Sequence, residues 1–327
     1  MTNIDSMKRL SIIGALPDSS FVGGVTIHVQ RLLQGLDAKG VSYEFIDYKR
    51  IGVPKTCLYI LRYKNCFHIH VTNPILLLIF VGCCKLSFSN CIFTLHANHG
   101  RFSGIKNFCL NIAIRLADVP ILINPQTYQV YERVNKHAHY IPAFIPPTSE
   151  PPLPENIKKI ITTCRERRVP IVSTNASKAA VDKNGNDIYG IDFLVNYFST
   201  RNNYTLLISD PKGQYKKKLY CTAENIVFID QPHSYFELLK NVDIFVRNTS
   251  TDGDALSVKE ALYLGVPALC SDIVDRPDGV ILFTYSDTIS FDRALSDAIS
   301  SVRKGHRTIS IKDDVVDSLI KLYSTWC

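Results

Sequence analysis

Residues 251–269, TDGDALSVKEALYLGVPAL, restrict the fold more than any other part of this 327-residue chain. They follow a strand-like apolar run at 242–246, VDIFV, and begin with a Gly-containing turn. Leu256, Val258, Ala261, Leu262 and Leu264 then recur at helical spacing. Gly265 ends the predicted helix, Pro267 blocks its continuation, and a second apolar strand starts. A strand–turn–helix–strand succession of this kind is a unit of a parallel sheet. Its turn lies where an open α/β sheet binds ligands, and the free N–H groups of a helix start suit phosphate there.

The rest of the chain repeats the alternation. Apolar strand-like runs are read at 8–16, 41–47, 67–71, 91–95, 119–123, 170–174, 204–209 and 225–229, with helical stretches such as 25–38, 105–116 and 311–326 among them. Six prolines within 140–154 preclude a regular helix or central strand and mark a linker between two domains. The length suits two cores. The apolar run at 75–84, ILLLIFVGCC, is too short to span a membrane and reads as a buried helix. The ten cysteines form no CxxC pair and no secretory signal precedes them, so they read as reduced, mostly buried thiols of a cytosolic protein.

Charge is unevenly placed. Residues 1–150 carry 15 Lys and Arg against 8 Asp and Glu, whereas 151–327 carry 22 of each. A basic first half suits an acidic membrane surface or a phosphate-bearing lipid. No helix-turn-helix, zinc-finger or aromatic-basic RNA motif accompanies it, which argues against nucleic acid.

Asp252 and Glu260 stand with seven residues between them, one before the helix and one two turns inside. Two acceptors at different depths suit a ligand with several hydroxyls, such as a nucleotide sugar. A helix cap and a solvated face residue are the plainer reading of the same pair. A strand, a loop with Gly23 and Gly24, and a helix open the chain as half of a mononucleotide-binding unit, without the GxGxxG fingerprint. His68, His70, His96 and His99 cluster near two strand ends, but no acidic or Cys partner stands at metal spacing. His68 and His70 read as packing residues.

The segment DGDALSVKEALYLGVPAL resembles the E-x7-E segment of retaining family 4 glycosyltransferases, with Gly253, Leu256, Glu260, Ala261, Gly265 and Pro267 in register and Asp252 in place of the first Glu. FVGGVTIHVQRLLQGL resembles the glycine loop of those enzymes, and IPAFIPP is similar to a motif of members from bacterial surface-polysaccharide clusters. The resemblance implies a GT-B fold: two Rossmann-like domains facing across a cleft, an acceptor-side domain at 1–148 and a nucleotide-sugar-binding domain at 149–310, with a C-terminal helix at 311–327 crossing back. It implies a retaining hexosyl transfer from a nucleotide-sugar donor to a glycan or lipid-linked glycan acceptor, in O-antigen or capsule synthesis. It gives Asp252 the donor sugar, Glu260 the ribose and His96 the reacting sugar centre. Gly23, Gly24, Gly253 and the Leu256, Ser257 and Val258 amides then line the diphosphate region. The implied chemistry needs no metal and no other cofactor, and implies a cytoplasmic enzyme peripheral to the inner face of the membrane.

One departure matters. The two cations that grip the diphosphate in that family are replaced by Asn175-Ala176 and Tyr189-Gly190. Lys178, Lys183 and Arg247 are the candidates to stand in. Asp252-Gly253-Asp254 imitates a D-x-D metal motif, but it runs into a helix carrying Glu260, so no metal is expected there. Two alternatives stay open: a nucleotide-sugar epimerase of the same fold, and a catalytically silent nucleotide-sugar-binding subunit.

Overall fold

The computed structural model describes residues 9–17, 23–176, 178–182, 184–252, 255–303 and 315–327. The chain divides into two compact units, Met1–Thr148 with Asp313–Cys327, and Ser149–Lys312.

The first unit runs β1 (Leu10–Gly14), α1 (Gly24–Ala38), β2 (Glu44–Asp47), α2 (Tyr48–Ile51), α3 (Val53–Arg62), β3 (Cys66–Ile69), α4 (Pro74–Leu86), β4 (Asn90–Leu95), α5 (Gly104–Leu116), β5 (Val119–Leu122), α6 (Pro125–Tyr131) and β6 (His139–Tyr140). Its six strands pair in the order β2-β1-β3-β4-β5-β6, every pair parallel. Alternate residues of the buried strands feed two apolar layers, as expected of a parallel sheet covered on both faces. Ile13 packs with Leu77 and Phe80 of α4 and Leu110 of α5. Ile12 packs with Leu32 and Leu36 of α1.

The second unit runs α7 (Glu155–Glu166), β7 (Ile171–Asn175), α8 (Ile191–Ser199), β8 (Thr205–Ser209), α9 (Gln214–Lys218), β9 (Ile226–Ile229), α10 (Tyr235–Leu239), β10 (Ile244–Arg247), α11 (Leu256–Tyr263), β11 (Ala268–Ser271), β12 (Ile281–Phe283) and α12 (Thr288–Arg303). Its sheet, β12-β11-β10-β7-β8-β9, is also parallel throughout and has the strand order of a doubly wound nucleotide-binding domain. The last helix, α13 (Val315–Trp326), belongs to the first unit. There Val316 and Leu319 join the α1 layer. Gly35 of α1 makes the close approach possible, because a Cβ at that position would lie 2.7 Å from Val316 Cγ2.

Two expectations are corrected. Cys66 and Cys327 form a disulfide, while the eight other cysteines are free. The pair is 261 residues apart and meets only because α13 returns to β3, which no local spacing announces. The apolar run at 75–84 is helical in α4 but not buried all round: Ile75 and Ile79 are exposed. The proline-rich linker packs at both of its ends. Ile141 and Ile145 are buried in the core of the first unit, and Leu153 is buried in that of the second.

Candidate functional site

In the second sheet the strand order reverses between β10 and β7, and the carboxyl ends of these strands carry Arg247 and Asn175. Such a switch point opens a crevice for ligands. Arg247 donates through Nε to Asp252 Oδ2 at 3.0 Å and through Nη2 to Oδ1 at 3.1 Å, a bidentate pair. Its Nη1 reaches Asn175 Oδ1 at 3.3 Å, and the guanidinium lies over the Tyr189 ring, 5.1 Å from the centroid. Tyr189 therefore supports this cation by a cation–π contact, at a place where the resembling family has a Lys of its own.

A second guanidinium shares the carboxylate. Arg276 Nη1 donates to Asp252 Oδ2 at 2.8 Å, and its remaining nitrogens bond Ser271 O and Thr249 Oγ1, each at 3.1 Å. The Arg247, Asp252 and Arg276 side chains are 11%, 7% and 2% exposed, so the cluster is a buried one with a formal excess of one positive charge. Burial alone would raise the Asp252 carboxyl, but the two guanidinium groups outweigh it and hold it below its ordinary value. Arg276 escaped sequence reasoning. It stands in the turn after β11, 24 residues beyond Asp252, and only the Pro-Asp-Gly that follows it hints at an ordered turn.

Glu260 lies in α11 and is 4% exposed, which sets aside the solvated-face reading. Its helix packs through Val258, Ala261 and Leu262 on the same layer as Phe245 of β10. At the start of the helix Ser257 and Val258 are buried, and the Val258 N–H donates to Ala255 O at 3.1 Å. That amide is engaged inside the turn. Lys178 is exposed in the loop after β7. Lys183, Gly253 and Asp254 lie outside the described residues. Gly190, in the left-handed region at φ +56°, is required by space as well: a Cβ there would come within 2.5 Å of Asn248 O.

In the first unit the strand order reverses between β1 and β3. Gly23 caps α1 and Gly24 is its first residue, and Thr26 Oγ1 accepts the Gly23 N–H at 3.1 Å. A Cβ added at either glycine meets no atom within 4 Å, so packing among the described residues does not require glycine there. His70 follows β3 and His96 follows β4, and His70 Nδ1 lies 3.1 Å from His96 Nε2. Burial, reinforced by neighbouring histidines, pushes both rings well below the ordinary imidazole value and keeps them neutral. His28 of α1, which the sequence reading left out, brings a third ring to the same place. One ring nitrogen from each of His28, His70 and His96 falls in a group no more than 4.8 Å across, the one such metal-capable group among the described residues.

His68 has the packing role expected of it. Its ring nitrogens meet Tyr323 Oη at 2.6 Å and Thr94 Oγ1 at 2.8 Å. His70 does not: its Nε2 is buried with no hydrogen-bond partner among the described residues. His99 is exposed and stands apart, its backbone N–H bonded to Thr127 Oγ1 at 2.9 Å.

No family model matches the chain, nor does any curated protein. Solved structures do. The sucrose-phosphate synthase of Thermosynechococcus elongatus aligns with a TM-score of 0.68 at 14% identity, over 97% of this chain and 98% of that one. Anabaena HepE in complex with UDP and glucose aligns at 0.64 and 12% identity, over 98% and 95%. WaaG, a glycosyltransferase involved in lipopolysaccharide biosynthesis, aligns at 0.61 and 9% identity, over 97% and 99%. The shared architecture is the GT-B fold, two parallel six-stranded sheets with interleaved helices.

Proposed function

We propose that this chain is a retaining glycosyltransferase that moves a sugar from a nucleotide-sugar donor to a hydroxyl of a glycan or lipid-linked glycan, in surface-polysaccharide synthesis. The observation that carries the reading is the buried Arg247–Asp252–Arg276 cluster at the β7/β10 switch point, with Glu260 buried on the next helix. A departing nucleoside diphosphate gathers negative charge, and fixed guanidinium groups in a site shielded from water stabilise it without reorganising. Arg247 and Arg276 thus fill the place of the two cations missing from the motif, and Asp252 acts by positioning them. Glu260 accepts from the ribose. Gly23, Gly24 and His96 stand at the other switch point, on the unit to which the resemblance gives the acceptor. The diphosphate cluster has its own cations, so no divalent ion is required there. The GT-B fold shared with HepE in its UDP complexes and with WaaG supports the same assignment.

The acceptor class implies work at a membrane surface. No helix among the described residues is long and apolar enough to cross one. Helices α3, α4 and α5 lie side by side and expose Leu58, Ile79, Ile105 and Phe108 together with Lys55, Arg62 and Lys106. Apolar side chains beside basic ones suit the interface of an anionic bilayer, where each Lys or Arg contributes about 1 kcal/mol. Lys85 is less suited, since it is tied to Asp118 at 2.6 Å. Flotation with anionic and neutral liposomes checks this: binding to anionic vesicles only, lost at high salt, is expected, and equal recovery with both lipids counts against it.

A second reading, a nucleotide-sugar binder without turnover, is favoured by the engagement of both arginines with Asp252. Incubation with a panel of nucleotide sugars, beginning with UDP-sugars, and lipid-linked saccharide acceptors separates the possibilities. Release of nucleotide only with acceptor, and a product that keeps the donor's anomeric configuration, is expected. An isomerised sugar without acceptor points to an epimerase, and saturable binding without turnover to the silent subunit.

A further inference from the structure

Three imidazoles converge in the first unit from three separate elements: His28 from α1, His70 from the end of β3, His96 from the end of β4. Packing does not account for them. The neighbouring His68 shows what a packing histidine looks like here, with a partner on each ring nitrogen. His70 is 1% exposed, and its Nε2 meets no partner among the described residues. Buried polar atoms are nearly always satisfied, and one that is not calls for an explanation such as an ion.

The tautomer of His28 points the same way. Its Nδ1 lies 2.7 Å from the Ala143 carbonyl, which can only accept. Nδ1 therefore carries the proton and the lone pair is on Nε2. A ring nitrogen donating to a backbone carbonyl while the other offers its lone pair is the usual arrangement of a metal-ligating histidine. The spacing fits too. A tetrahedral site with Zn–N bonds of about 2.0–2.1 Å has N···N edges of about 3.3 Å. One ring nitrogen from each of the three histidines lies within 4.8 Å of the others, so at most about 1.5 Å of closure brings them to that edge.

We propose that His28, His70 and His96 form a three-imidazole site for a divalent transition metal, zinc(II) in the first instance, with the fourth coordination position open to an oxygen ligand. Three imidazoles with no carboxylate in the group suit zinc and its neighbours rather than magnesium or calcium, which take oxygen ligands. His96 is only partly buried, which leaves an entry path for the ion. In this assignment His96 is a ligand, and any sugar oxygen there is met by the ion. The inference goes beyond the transferase reading and does not depend on it, because metal binding is measured without donor or acceptor.

The test uses the full chain stripped with a chelator and titrated with zinc against a chromophoric competitor. Zinc K-edge absorption then reads the ligands in the unsubstituted protein. One zinc per chain, with a nitrogen and oxygen shell at about 2.0–2.1 Å and no sulfur shell at about 2.3 Å, is expected. His28→Gln and His70→Gln should each weaken binding more than about tenfold, the loss that even an outer-shell partner can cause. With cobalt(II), visible d–d bands without sulfur charge transfer should appear in the unsubstituted chain. Absence of uptake, or a sulfur shell showing zinc on the free cysteines, overturns the proposal. So does unchanged affinity in variants whose circular dichroism shows that they fold.

Discussion

Asp252→Asn is the sharpest perturbation of the donor-side cluster. The substitution keeps the shape and removes the charge. Arg247 loses a bidentate acceptor at 3.0 and 3.1 Å, and Arg276 a contact at 2.8 Å. Both guanidinium groups stay charged in surroundings that leave them 11% and 2% exposed. Removing one partner of a buried ion pair costs about 3–5 kcal/mol, chiefly because the other charge is left uncompensated. A kilocalorie moves the midpoint of a unit of this size by roughly 2–4 °C, so calorimetry should show a fall of about 10 °C. The two arginines then have no carboxylate between them and should favour a diphosphate more than in the parent. Saturating UDP, at a hundred times its Kd, adds about 2.7 kcal/mol to any chain that binds it. At one fixed UDP concentration below that limit, the variant should gain more stability than the parent. A variant within about 1 kcal/mol of the parent, gaining no more from UDP, would refute the view that Asp252 exists to hold two cations for the diphosphate.

Glu260→Gln, nearly isosteric, should weaken nucleoside diphosphate binding by about tenfold or more, the worth of one charge-assisted hydrogen bond. Calorimetric titration reads this, and unaltered affinity removes the ribose role. Gly190→Ala must adopt φ +56° and push Asn248 away from Gly190 O and Ser286, so a loss of about 3 kcal/mol or more in urea unfolding is expected. Burial, reinforced by the neighbouring His28, pushes His68 down to about 3, so it stays neutral when folded while its unfolded form protonates below about 6.5. The unfolded state then binds one more proton at this residue, so His68 alone should lower stability by about 1.4 kcal/mol per pH unit from about 6 towards 4, with His70 and His96 adding to the slope. His68→Gln should flatten that slope, and an equally steep profile in the variant would contradict the assignment.

The fold was legible because local physics already specifies it. Buried parallel strands are short apolar runs, and Gly265 with Pro267 stops α11 and starts β11 wherever the unit sits in the chain. Asp252 and Glu260 were legible for the same reason, being eight positions apart on one turn and one helix. Contacts across long separations were not. Arg276 reaches Asp252 because β11 lies beside β10, and Cys66 meets Cys327 because α13 returns to the first sheet. His28 joins His70 and His96 because β3 and β4 end beside the start of α1. Along the chain these three are simply a helix residue and two strand ends. Sequence alone determined the elements and the parallel sheets, since propensity, periodicity and capping act between near neighbours. Tertiary structure alone decided which charges share a carboxylate and which imidazoles share a place, because strand order and helix return set those distances.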